Sequence, residues 1–126
     1  MERSKIELEY IIKASPTILY QFLTTPACLV RWFCDAADVY DDFFVFSWKG
    51  NDEIAFLIDD IEEERLRLRW EDADNEKEYF EYAITTSPIT EETILTITDF
   101  CDKDEIDYQK NYWNNNVESL KKVMGA

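Results

Sequence analysis

A change of hydrophobic period, made twice along the chain, most constrains what this sequence can fold into. Ile6, Leu8, Tyr10 and Ile12 alternate with Glu7 and Glu9, which predicts a strand with one face on a core. Ser15-Pro16 then stops the strand and starts a helix. Serine caps helices, and proline suits the first helical position, where its missing N–H costs nothing. Ile18, Leu19, Phe22 and Leu23 follow at helical spacing. Thr25-Pro26 repeats the start signal and predicts a short second helix carrying Leu29, Trp32 and Phe33. From Asp38 the period becomes two, with strands expected near 43–48, 53–59, 65–70, 78–85 and 93–100. Turn signals such as Lys49-Gly50-Asn51-Asp52 and Ser87-Pro88 separate them. The period then returns to helical. Trp113, Val117, Leu120 and Met124 form one stripe, whose extension toward the N-terminus reaches Gln109, Lys110 and Ile106. Asp102 and Glu105 have capping-box spacing, and Gly125 suits a helix end.

The order is therefore strand, two short helices, about six strands and a long helix, in one α+β domain spanning residues 1–126. Successive strands joined by short turns imply an antiparallel meander. One helix covers only one face of such a sheet, so the sheet must curl around it. The chain resembles the START-like (SRPBCC, helix-grip) superfamily, in the branch related to the activator of the heat-shock chaperone ATPase. Three stretches carry the likeness. The first holds Ser15-Pro16, Leu19-Tyr20, Phe22-Leu23-Thr24, Pro26, Leu29 and Trp32-Phe33. The second is Thr93-Ile94-Leu95-Thr96-Ile97-Thr98-Asp99-Phe100, and the third is Tyr112-Trp113 with Leu120. The resemblance implies a helix-grip fold, a curved antiparallel sheet wrapped around the closing helix. It also implies a cavity between the two, which members of the superfamily often use for an apolar ligand.

Composition excludes several classes. There are 28 acidic residues against 13 basic ones, a net charge of −15. Such a surface repels phosphate backbones and anionic lipid, so neither nucleic acid nor a membrane surface is expected as a partner. No apolar run approaches the ~20 residues that span a bilayer. The N-terminal residues lead straight into the first strand without a secretory apolar region, so a soluble cytoplasmic protein is expected. Cys28, Cys34 and Cys101 are odd in number and widely spaced, which argues for reduced, apolar cysteines rather than a disulfide framework. The chain has no histidine. The commonest general base and the commonest metal ligand are thus missing, and no cofactor, metal or catalytic residue is assigned.

Eight residues are candidates for lining a cavity: Trp48, Trp70, Phe80, Tyr82, Asp99, Gln109, Trp113 and Asn116. The large rings can hold a flat or apolar molecule, although each taken singly reads more readily as core filling. Asp99 shares a strand face with Leu95 and Ile97, and Gln109 and Asn116 lie on or beside the inward stripe of the closing helix. They can orient a ligand, but the preferred expectation is that Asp99 at its strand end and Asn116 at the stripe's edge are solvated. Arg65, Arg67 and Arg69 form a basic row expected to pair with acids on neighbouring strands. Residues 34–38 are expected as a loop at the cavity mouth, with Cys34 as an exposed thiol of ordinary reactivity. The favoured function is a binding domain for a small apolar or aromatic molecule. The alternative is a protein-interaction module like the chaperone-activator domain, with a protein partner. An aromatase- or cyclase-like enzyme ranks last, because no constellation of catalytic groups stands out. Neither the ligand nor the oligomeric state follows from the sequence.

Overall fold

The computed structural model describes residues 2–126. Strand β1 (Arg3–Ile12) is followed by a bend to Ser15, whose Oγ accepts a hydrogen bond from the Ile18 amide at 3.2 Å and so caps α1 (Pro16–Thr24). Helix α2 (Pro26–Leu29) is a single turn, so Trp32 and Phe33 lie in the turns after it rather than on it. Six strands follow: β2 (Ala36–Val39), β3 (Phe43–Trp48), β4 (Asn51–Ile61), β5 (Arg65–Trp70), β6 (Phe80–Thr86) and β7 (Thr93–Asp102). A 3-10 turn at Lys103–Glu105 leads into α3 (Ile106–Met124).

The strands form one antiparallel sheet in the order β1-β7-β6-β5-β4-β3-β2, curved but not closed, with β1 and β2 at its edges. Its concave face carries Phe44, Phe46, Leu66, Leu68, Phe80, Tyr82, Ile84, Leu95 and Ile97, all buried. Helices α1 and α3 cover that face with Leu19, Phe22 and Leu23 from one and Trp113, Val117 and Leu120 from the other. A bulge sharpens the curve. Leu57 pairs with Leu68 but Asp59 pairs with Arg67, so Ile58 is the extra residue. The parity of β4 changes there, and Asp60 falls opposite the buried Leu66. Its carboxylate accepts a hydrogen bond from the Tyr20 hydroxyl, and Glu63 accepts one from Thr17 at 3.0 Å. Both bonds tie α1 to the β4–β5 hairpin.

The arginine row pairs as expected at two of its positions. Arg65 meets Asp59 at 2.7 Å and Arg67 meets Glu81 at 2.8 Å. Arg69 instead lies with its guanidinium 6.0 Å from the Phe56 ring centre. Other expectations fail as well. Residues 36–39 are not loop but edge strand β2, paired from Ala36 opposite Ser47 to Val39 opposite Phe44. An edge strand with its side chains exposed or half-buried needs no apolar alternation, so its sequence shows none. Cys34 is buried, not exposed, and burial pushes its thiol up to about 11. Neither Asp102 nor Glu105 caps α3 through its side chain. Asp102 is engaged by Arg3 at 2.9 Å instead. At the other end Gly125 takes the left-handed conformation (φ 71°), and its N–H satisfies the last carbonyls of α3.

Candidate functional site

A gap in the sheet positions the site. Strands β5 and β6 pair only from Arg65 opposite Ala83 to Leu68 opposite Phe80. Residues 71–79 then loop away, and β6 leaves β7 beyond the pair Glu81–Thr98. Strand β7 continues beside β1 alone, with Asp99 opposite Ile6. The first turns of α3 lie across this opening and leave a cleft of about 370 Å³. Phe33, Trp48, Trp70 and Trp113 supply its rings; Glu53, Asp99, Tyr108, Gln109 and Tyr112 supply its polar groups.

The rings are fixed by one another and by the backbone. Phe33 stacks on Trp113 with centres 6.0 Å apart and meets Trp48 edge-on at 5.4 Å. Trp48 and Trp70 face across 6.2 Å, and Trp70 stacks on Phe80 at 4.8 Å. The Trp48 indole N–H donates to the Phe33 carbonyl at 2.9 Å. Trp48 also precedes the two-residue turn Lys49-Gly50, where both residues have positive φ (52° and 80°). That geometry matches the twist of the hairpin, and the Lys49 amide bonds Asp35 at 2.8 Å. The ring is therefore held at both the backbone and the indole nitrogen.

Asp99 is the most constrained polar group. It is 8% exposed, contrary to the expectation of a solvated strand end. Its Oδ2 accepts from Gln109 Nε2 at 2.8 Å and from Trp113 Nε1 at 2.9 Å. Its Oδ1 accepts from the Phe100 amide at 2.8 Å. Burial pushes its pKa above the usual carboxylate value, while these three donors and the Arg3 charge pull the other way. All three partners are donors, so they hold Asp99 as an acceptor and favour its ionised form against the effect of burial. Tyr112, at the same cleft, has its phenol pushed up chiefly by burial.

The structure brings Trp48, Trp70, Asp99, Gln109 and Trp113 together and leaves three candidates out of the lining. Phe80 and Tyr82 pack behind it, with Tyr82 edge-on to Trp113 at 5.8 Å. Asn116 lies farther along α3 and is half-buried; its Nδ2 and the Tyr82 hydroxyl are buried without a protein partner. The sequence reading missed Phe33, Glu53, Tyr108 and Tyr112. Tyr108 and Tyr112 are four residues apart and share one strip of α3, so a helical wheel widened to the strip beside the Gln109–Trp113 stripe finds them. A smaller recess of about 210 Å³ lies on the far side of Trp70 and Asp99, lined also by Arg3, Glu78, Tyr79 and Phe100. Asp102, Asp104 and Glu105 gather their carboxylates at the start of α3, with Asp102 held by Arg3. No described helix is long and apolar enough to cross a membrane.

Comparison with known proteins agrees with this fold. A solution structure of a Bacteroides fragilis protein is 30% identical over 98% of this chain and 93% of its own, with a TM-score of 0.69. The Aha1 dimer from Colwellia psychrerythraea is similar in fold at 19% identity, covering 95% of each chain with a TM-score of 0.81. An AHSA1-like protein from Aeromonas hydrophila is similar at 17% identity over 94% of this chain and 90% of its own, TM-score 0.76. No curated protein sequence matches. The sequence model of the START-like superfamily domain matches residues 1–126, and the chain belongs to that superfamily.

Proposed function

We propose that this START-like chain binds a small molecule with a flat, largely apolar body in the cleft between the sheet and α3. The cleft itself carries the reading. It has about 370 Å³ of space, within the range of small-ligand sites, and it is walled by Trp48, Trp70, Phe33 and Trp113. Indole and phenyl faces stack on planar ligands, and a few fixed polar groups set the orientation. Gln109 and Asp99 are such groups, already oriented by their mutual hydrogen bond.

The neutral fluorophore N-phenyl-1-naphthylamine tests this reading. Saturable binding with one site per chain and a blue-shifted emission is expected. Trp48→Ala should weaken it by about tenfold, the loss of one stacked ring. Unsaturable binding, or binding indifferent to Trp48→Ala and Trp70→Ala alike, would sink the proposal.

A further inference from the structure

The charge of the cleft narrows the class of ligand. Glu53 and Asp99 both line it, and none of its nine lining residues is basic. Asp99 lies deep in the wall, with its Oδ2 already taken by two donors and its Oδ1 by one, leaving room at Oδ1 for a further donor. Glu53 lies exposed on β4 and takes part in no ion pair among the described residues, whose pairs use Glu2, Asp59, Glu78, Glu81 and Asp102. The nearby cation, Arg3, lines the smaller recess behind Asp99 and is committed to Glu78 and Asp102. No cation lies in the cleft itself, and Arg3 acts on Asp99 only from the recess behind it. Three indoles line the same cleft, the rings whose faces attract cations most strongly. Aromatic walls with unpaired carboxylates and no base suit an organic ammonium and disfavour an anion.

We infer that the ligand is a cationic, aromatic or hydrophobic amine, its ring between the indoles and its ammonium toward Glu53 and Asp99. The inference rests on the cleft being a binding site, and the experiment separates the two. Three probes share one indole body: tryptamine (ammonium), tryptophol (hydroxyl) and indole-3-propionate (carboxylate). Binding to the full chain is followed at 150 mM NaCl by amide and indole N–H shifts in the ¹⁵N spectrum, with the Trp113 indole as reporter. Tryptamine should bind about tenfold tighter than tryptophol, and indole-3-propionate weaker still. Glu53→Gln should remove most of the preference, read as the ratio of tryptamine to tryptophol affinity in the same variant. Glu7→Gln, on the solvent face of β1, should leave the preference intact, which separates a local effect from the general acidity of the chain. Tryptophol binding as tightly as tryptamine overturns the cation preference and leaves the binding cleft standing. Equal effects of Glu7→Gln and Glu53→Gln overturn it too. No saturable shift with any of the three overturns both.

Discussion

Gln109→Met isolates what holds the buried carboxylate of Asp99. Methionine keeps the length and most of the volume of glutamine but removes the Nε2–H that reaches Asp99 Oδ2 at 2.8 Å. A hydrogen bond to a charged group is worth about 1.5–3 kcal/mol net. Gln109 is half-buried, so water can partly replace it, and the lower end, about 1.5 kcal/mol, is the expected loss of stability at neutral pH. For a chain of this length that corresponds to a fall in Tm of about 6 °C. The same energy appears in titration. The lost donor stabilised the ionised form, so the Asp99 pKa, already raised by burial, should rise further. The sign of the pH dependence follows. A carboxylate whose folded pKa lies above its unfolded value destabilises the fold as pH rises through that folded pKa. Gln109→Met should thus cost most above the Asp99 pKa and progressively less below it, where only a neutral hydrogen bond is lost. Urea unfolding from pH 4.5 to 8 and carboxyl-carbon NMR of Asp99 measure the two effects. A stability change under 0.5 kcal/mol together with an unmoved Asp99 pKa would refute the reasoning.

Other outcomes follow from single contacts. Tyr82→Phe removes a buried hydroxyl that has no protein partner, so urea unfolding should show no loss and a gain of up to about 1 kcal/mol. Ser15→Ala removes the α1 cap and should cost about 1 kcal/mol by the same assay. Cys34, with its thiol pushed up to about 11, should react with a disulfide reagent at pH 8 far more slowly in the folded than in the urea-unfolded protein, with Cys34→Ser identifying the slow phase. Fast labelling of Cys34 in the native state would contradict its burial.

Elements built on side-chain periodicity were legible in the sequence. The α1 face, the α3 stripe and the alternating strands β3, β5, β6 and β7 show it, because each buries one face and that face repeats. Strand β2 is held by backbone pairing at a sheet edge and leaves no side-chain pattern to read. The site divides along the same line. Trp48, Trp70 and Trp113 could be chosen because tryptophans are few and mostly inward. The depth of Asp99 could not, since it depends on β6 parting from β7 just where α3 supplies two donors. The bulge at Ile58 is equally silent: one extra residue changes which side of β4 faces inward, and nothing in 53–61 announces it.

Trp70 and Asp99 form a partition shared by two recesses, and this governs how any titration of the chain must be read. A perturbed Asp99 carboxyl or Trp70 indole signal reports filling of either compartment without naming which. Tyr108 and Gln109 mark the larger compartment, whereas Ala73 and Tyr79 mark the smaller one. A ligand confined to the larger space moves the first pair of resonances and spares the second. A molecule drawn instead to Arg3 does the reverse, so four backbone amides assign the address of whatever binds.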